Sequence, residues 1–563
     1  MSAKWLLALA GTLALPGIAA SQGRAESADT TARVVDRVFD AFRNTDGPGC
    51  ALGVSRGGRV VYEQGYGMAN LDNEIAITPA SVFHVASITK QFTAMSILLL
   101  AQRGRLSLDD EVRTHITELP DFGSKITIRH LLTHTSGLRS AFALAMLAES
   151  RDRETDGLLT ILTRQRALNF TPGSEYAYLN DGYDLLGRVV ERVSGQSLRA
   201  FMDSNIFQPL GMTQTFLKDD AAMIVPKRAV GYNRGDAGNW VVAADQWRIG
   251  AGGNTGLHTT VRDLLIWEQN FAVVRVGDPA LVAAMQMPTV LTGGDTSFYG
   301  FGLRIRDRRP PGTGHGGGDP GYSAFAGRYP DHGLAVAVLC NWEDIGAARL
   351  FQSVANIYGA DVVPTAVSSN ATQAPPAVSL SADHMAGKVG VFSDPSSGLV
   401  RRVFVRDGKL RGASRVDASI GSELTLLSAT RFLVVPPGVT WEFVPATGGR
   451  AQELHEFAAG RRQPLVFQQV NASTPSSAEL RAFAGEYVSP ELATTYTLAA
   501  RDSVLVIQIG GRAQVVLRPI FTDAFHGSRV GVVKFSRDPH GAVTGFTVNT
   551  DSVRGLRFDR VKR

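Results

Sequence analysis

The chain changes its pattern at one place. Up to about residue 362, helical and strand-like runs of apolar residues are mixed. Beyond Pro364 to Ser379 (PTAVSSNATQAPPAVS) there are only short alternating strands and turn residues, without a convincing long helix. That stretch is polar, small and proline-rich, the composition of a linker, and we set it at 363–380. At 563 residues the chain is too long for one ordinary core, so the two sides must bury their apolar surface separately.

On the N-terminal side, Val34 to Phe42 has helical spacing, and Cys50 to Ser55, Arg56-Gly57-Gly58 and Arg59 to Glu63 form a hairpin pattern. Ser87 to Gln102 reads as a buried helix, with Phe92, Met95 and Ile97 to Leu100 apolar and Gly104 at its C-terminal cap. Further helices are expected over Gly182 to Val193 and Val261 to Phe271. Strands return at Gly300 to Ile305, Ser323 to Tyr329 and Leu334 to Cys340. Strand pairs from both ends around a helix-rich middle predict one α/β domain, over 28–362, whose sheet uses both termini.

The C-terminal side is internally repeated. Met385-Ala386-Gly387-Lys388-Val389 resembles Phe483-Ala484-Gly485-Glu486-Tyr487, and Leu465 to Val470 resembles Leu556 to Val561. Two small all-β, barrel-like units, 381–470 and 478–563, fit best. One larger β-domain with chance similarity is the competing expectation.

Lys4, the apolar run Trp5 to Leu15 and the small residues up to Ala20 have the form of a secretory signal, cleaved near residue 20. The run is too short to span a membrane comfortably. An exported protein, periplasmic or secreted, is expected, with no transmembrane segment once processed. Cys50 and Cys340 are the only cysteines, and either a disulfide or two buried thiols fits them. The formal net charge of +5 is a mild excess without a basic block, which gives no ground for nucleic-acid binding. No Cys/His cluster has zinc spacing and there is no His-Glu-x-x-His, so no metal or other cofactor is expected.

Three elements carry chemistry. Ser87-Ile88-Thr89-Lys90 is the only Ser-x-x-Lys, and three residues along a helix put both side chains on one face. A serine hydroxyl needs a neighbouring base, and a desolvated lysine serves as one. Tyr178-Leu179-Asn180 supplies a phenol able to shuttle a proton and an amide able to hold the lysine or a substrate carbonyl. Gly314-His315-Gly316-Gly317-Gly318-Asp319 is a glycine strand whose backbone N–H groups can bind an oxyanion. Each element alone is a weak signal.

Together, in this order, they resemble the class C β-lactamase and penicillin-binding-protein-like serine hydrolases. The resemblance covers residues from about 33 to 360, including Val85 to Ala94, Leu106 to Asp110, Ile126 to Leu138 and Gln208 to Met212. It implies a catalytic domain with an antiparallel sheet and a helical subdomain. It implies Ser87 as acyl-forming nucleophile, Lys90 and Tyr178 as the base system, and Asn180 as the family's asparagine. His315-Gly316-Gly317 stands where many members have Lys-Thr-Gly, and the N–H groups of Ser87 and Gly318 would form the oxyanion hole. His130 and His134 are implied to be structural.

His315 is the departure that matters, with Leu179 for the common Ser a minor one. A mostly neutral histidine gives weaker, pH-dependent anion attraction than lysine, which argues against efficient β-lactam hydrolysis. His-x-Gly followed by two β-units is similar to the D-aminopeptidases. The expected activity is hydrolysis of amide or ester bonds in small peptides, D-amino-acid derivatives or esters, with cell-wall peptide one candidate substrate. The alternatives are a β-lactamase or DD-peptidase using the same residues, and a non-catalytic penicillin-sensing or wall-binding protein. Gly53-Val54-Ser55-Arg56-Gly57 also matches Gly-x-Ser-x-Gly, but a strand follows it where that nucleophile needs a helix.

Overall fold

Leu334–Cys340 lacks polar alternation because it is buried on both faces at the middle of a sheet. The computed structural model describes residues 30–43, 46–149, 155–243, 252–306, 311–359, 381–395, 397–414, 421–434, 439–445, 451–458, 460–509 and 513–562. The expected signal segment and the linker lie outside these residues. We label the strands of the sheet β1 (Cys50–Arg56), β2 (Arg59–Tyr66), β3 (Arg304–Arg306), β4 (Gly312–Asp319), β5 (Tyr322–Tyr329) and β6 (Leu334–Cys340). The main helices are α1 (Thr89–Gln102), α2 (Asn180–Ser194), α3 (Val261–Asn270) and α4 (Ala347–Tyr358). The sheet is antiparallel in the order β3-β4-β5-β6-β1-β2, so both ends of the domain meet at β6–β1.

Alternation along these strands serves two cores. Leu52, Val54, Val336 and Val338 face Leu350, Phe351 and Val354 of α4. Ala51, Ala335, Ala337 and Leu339 face Val261, Leu264 and Leu265 of α3. The α3 face is lined by small residues because the helix lies close: a Cβ at Gly53 would stand 3.1 Å from Val261 and Leu265. Cys50 and Cys340 are direct cross-strand partners joined by a disulfide, which decides between the two expectations for them. Ser55 lies next to the end of β1, ahead of a hairpin whose Gly57 and Gly58 adopt φ of 57° and 76°, so it occupies no strand-to-helix turn.

The helical subdomain is built around α1, which is buried along nearly its whole length, with Thr89, Lys90, Gln91, Thr93 and Ser96 buried beside its apolar residues. The tail forms two closed eight-stranded antiparallel barrels, running from Gly390–Ser393 to Leu465–Val470 and from Gly485–Ser489 to Leu556–Arg560. The repeated motifs are the opening and closing of each barrel. The first of each pair lies where a short helix, Ala382–Ala386 or Ser477–Ala482, passes into the first strand. The second is the last strand, which pairs back onto the first. Aromatic residues fill the interiors, among them Phe392, Phe432 and Trp441 in one barrel and Tyr487, Phe546 and Phe558 in the other.

The second barrel shares a continuous core with the helical subdomain. Arg139 pairs with Glu491 at 2.7 Å, and the Tyr496 hydroxyl donates to the Leu147 carbonyl at 2.6 Å. The first barrel meets the catalytic domain where Thr296 N donates to Gly460 O and Arg462 N to Asp295 Oδ1, both at 2.6 Å.

Candidate active site

Ser87 sits in a 3₁₀ turn, Ala86–Ile88, that feeds straight into α1 at Thr89. The helix therefore starts two residues later than the sequence pattern predicts, and Ser87 lies just ahead of its N-terminus. Ala86 adopts φ 43°, a left-handed conformation that costs about 1–3 kcal/mol for a residue with a side chain. Thr89 caps the turn from inside, donating to Ala86 O at 2.6 Å and accepting from Leu257 N at 3.1 Å. Behind it runs β4. A Cβ at Gly317 would stand 2.1 Å from the Val85 carbonyl oxygen, so only glycine lets the strand lie this close.

Lys90 is fully buried, three residues on along the same face. Its Nζ donates to Ser87 Oγ at 3.0 Å, Asn180 Oδ1 at 2.8 Å and Asn254 O at 3.0 Å. The amine therefore lies among three oxygens, one of them the serine hydroxyl. Asn180 is the first residue of α2. Asp184, one turn further on the same face, accepts from Asn254 N at 3.2 Å and Nδ2 at 2.6 Å and so aims the Asn254 carbonyl at the lysine. Burial pushes the Asp184 carboxyl up, against the pull of these bonds.

The Tyr178 ring lies 5.1 Å from Lys90 Nζ. One histidine fixes the backbone on both sides of it: His134 O accepts from Ala177 N at 2.9 Å, and His134 Nδ1 accepts from Leu179 N at 3.1 Å. His134 is buried, and desolvation together with the Lys90 charge holds its ring well below the usual histidine range, so it stays neutral. His130 forms a capping box with Thr127 on the short helix Ile128–Leu132.

At His315 the structure agrees with the expected neutral ring and differs over its expected pH dependence. Its ring is buried, 1% exposed, and committed on both sides. Nδ1 lies 2.6 Å from Gly316 O and Nε2 lies 3.0 Å from the Tyr299 hydroxyl. Burial, with the Lys90 and Arg304 charges, pushes it down to about 3. It carries no positive charge near neutral pH and offers an anion neither the attraction nor the pH dependence expected of it.

The site opens at the remaining positions. Ser87 is half-buried, while Asn180 and Gly318 are exposed. A Cβ on Gly318 would meet nothing within 4 Å. Among the described residues β3 pairs only with Gly312, Thr313 and Gly314, and no other strand pairs with His315–Asp319 on that side. The sequence reading missed Asp184, Asn254 and Thr255, although Gly252-Gly253-Asn254-Thr255-Gly256 was visible as a glycine cluster. Gly253 is needed because a Cβ there would stand 2.1 Å from Tyr183 O. Among the described residues no group of three His, Cys, Asp or Glu side chains is arranged to hold a metal ion, and no helix is long and apolar enough to cross a membrane.

A Ser-x-x-Lys pair at the head of a buried helix, with a Tyr-x-Asn loop and a glycine strand closing on it, defines a serine hydrolase. The beta-lactamase family profile matches residues 35–355, and the chain belongs to that family. It is similar to a D-aminopeptidase of Gluconobacter oxydans, 28% identical over 393 residues, 68% of this chain and 70% of that protein. A D-aminopeptidase of Brucella anthropi is 28% identical over 324 residues, 56% of this chain and 60% of that protein. Among solved structures, a penicillin-binding protein homologue from Pyrococcus abyssi superposes with a TM-score of 0.54 at 22% identity, over 78% of this chain and 99% of the other. A D-amino acid amidase from Ochrobactrum anthropi gives 0.50 at 22% identity, over 58% and 98%. These two structures bear on the fold.

Proposed function

We propose that the chain hydrolyses short peptides and amides of D-amino acids through an acyl-enzyme on Ser87. The observation that carries this is the bond from buried Lys90 to Ser87 Oγ, with Asn180 and Asn254 holding the lysine in place. The similarity to two D-aminopeptidases supports the substrate class. Ser87 Oγ attacks the carbonyl carbon and gives up its proton to the Lys90/Tyr178 pair. The N–H groups of Ser87 and Gly318 receive the oxyanion. The C–N bond breaks as the leaving amine takes the proton, and water, deprotonated by the same pair, then releases the acid. The neutral His315 weighs against the β-lactamase reading. The Cys50–Cys340 disulfide supports the export expected from the first twenty residues.

A fluorophosphonate probe should label Ser87 of the purified full chain, located by peptide mass spectrometry. Ser87→Ala should abolish labelling, and Lys90→Met should slow it at least a hundredfold. In a panel of D-alanine p-nitroanilide, p-nitrophenyl acetate and nitrocefin, the anilide should be turned over with the highest kcat/KM. Fast nitrocefin turnover would overturn the proposal in favour of a β-lactamase, and absence of labelling in favour of a binding protein.

A further inference from the structure

A cavity of about 530 Å³ lies where three parts of the fold meet, and none of the residues placed around Ser87 lines it. The segment leading to Tyr178 contributes Asn169, the last strand of the first barrel contributes Gln468 and Gln469, and the second barrel contributes Lys534 and Arg554. In the second barrel Gly531–Arg537 pairs with Val543–Asn549, which sets Val532 opposite Asn549 and Lys534 opposite Thr547. Alternation turns Val533 and Val548 into the barrel, where they are fully buried, and puts these four on its outer face. Val532 and Asn549 are buried all the same, because the first barrel covers them. Val532 and Phe521 pack with Val400 in a small apolar cluster, and a Cβ on Gly398 would stand 2.8 Å from Asn549. Beyond this contact the barrels part, and Lys534, in the wall of the gap, is exposed.

The charged groups of the wall differ in what they are free to do. Arg139 is tied to Glu491, and Arg554 holds Glu175 through both terminal nitrogens at 3.2 Å. Asp394 accepts from the Ser397 hydroxyl. Lys534 makes no ion pair or side-chain hydrogen bond among the described residues, and the side-chain amides of Gln468 and Gln469 make no hydrogen bond among them either. An apolar occupant would strip water from these groups and leave them unpaired, at about 1–3 kcal/mol each. An occupant with several hydroxyls pairs the amides, which both donate and accept, and a carboxylate on it meets the ammonium in a charge-assisted bond. The apolar faces of a sugar ring suit Phe521 and Val532. We propose that this cavity binds a short acidic carbohydrate, a sugar acid of disaccharide size, with its carboxylate at Lys534 and its hydroxyls on Gln468 and Gln469. The volume lies within the range of about 300–1,000 Å³ that small-molecule sites occupy. Binding here is independent of the reading of Ser87. The occupant touches both barrels and the segment leading to Tyr178, so it holds three parts of the fold together and stabilises the folded chain by mass action.

Full-length protein is titrated calorimetrically with cellobiouronate, a glucuronosyl-glucose disaccharide, with cellobiose as its neutral counterpart and acetate as an anion without hydroxyls. Cellobiouronate should give a saturable isotherm. Loss of the charge-assisted bond should leave cellobiose about tenfold weaker, and acetate should be weaker still. Lys534→Met should bring cellobiouronate to the level of cellobiose and leave cellobiose itself unchanged. Gln468→Ala combined with Gln469→Ala should weaken both disaccharides and keep the gap between them. At equal concentration, cellobiouronate should raise the unfolding temperature of the unsubstituted protein more than that of Lys534→Met. No binding of cellobiouronate at 10 mM, equal affinity for the two disaccharides, or a cellobiouronate affinity unchanged in Lys534→Met would overturn the inference. Weakening of both disaccharides alike by Lys534→Met would overturn it as well, because the carboxylate would then lie elsewhere. Failure of the Ser87 reading shows separately, as an absence of fluorophosphonate labelling in the unsubstituted protein.

Discussion

The contrast between two neighbouring glycines tests the site at the level of single atoms. Gly317 has no room for a methyl group, because its Cβ would press on Val85 O and on Ala86 Cβ at 3.2 Å, whereas Gly318 faces open space. Gly317→Ala should part the strand from the nucleophile turn and lower kcat at least a hundredfold, the scale of a misplacement of about 1 Å. Gly318→Ala keeps its N–H and should stay within tenfold of the unsubstituted enzyme. Steady-state kinetics on one p-nitroanilide compares them. His315 yields a second test. Its folded pKa of about 3 lies below the 6.5 of a free histidine, so between those values the unfolded chain binds the extra proton. The contribution of the ring to stability is therefore complete above pH 6.5 and drains away as pH falls toward 3. The stability advantage of the unsubstituted protein over His315→Gln should shrink by up to about 1.4 kcal/mol per pH unit across that window, read from urea unfolding at several pH values. The residue types at this site were legible in the sequence, since spacing alone puts Ser87 and Lys90 on one face. The state of His315 was not legible, because a pKa depends on what surrounds the ring, and Tyr299 and Gly316 arrive through the fold.

The segment that carries Tyr178 is an element held from outside. Glu175, three residues before it, pairs with Arg554 of the second barrel at 3.2 Å, and Asn169 exchanges hydrogen bonds with Arg554 N at 2.8 Å and Ser552 O at 3.0 Å. From within, His134 binds Ala177 and Leu179. Both partners of the ion pair are partly exposed, so breaking it should cost about 1 kcal/mol or less in stability. The effect on Tyr178 is expected to be larger in rate: Arg554→Met and Glu175→Gln should each lower kcat three- to tenfold with little change in denaturation midpoint. The double substitution should be no worse than either single one, and activity equal to the unsubstituted enzyme would separate the clasp from the tyrosine. Hairpins, the buried helix and the barrel repeats follow local pattern and were readable in advance. The late start of α1 was not, because the 3₁₀ turn depends on Leu257 and β4 packing against it.

For the whole molecule, the joint between the second barrel and the helical subdomain is the decisive contact. Arg139 is 2% exposed, and Glu491, which neutralises it, also accepts from Arg166 N at 2.9 Å. Desolvation pushes the arginine down from its ordinary range and the glutamate opposes it. Removing the acid strands a buried charge, so Glu491→Ala should cost about 3–5 kcal/mol by urea unfolding. Replacing both partners, as in Arg139→Met with Glu491→Leu, should recover part of that loss, because the stranded charge is gone while Arg166 N and the Arg554 carbonyl lose their partners.

The sequence by itself determined the local pieces: a Ser-x-x-Lys helix, a Tyr-x-Asn loop, a glycine strand and a repeated β tail behind a proline-rich linker. Periodicity, turn residues and spacing act within a few neighbours, and a single chain records them in full. Only the tertiary structure decided that Cys50 and Cys340 are cross-strand partners, that the His315 ring is buried between Tyr299 and Gly316, and that Asn254 completes the cradle of Lys90. It alone brought a barrel residue to the loop that carries Tyr178. Each of these joins residues distant in sequence, and their separation and burial, which fix charge and geometry, exist only once the chain has packed.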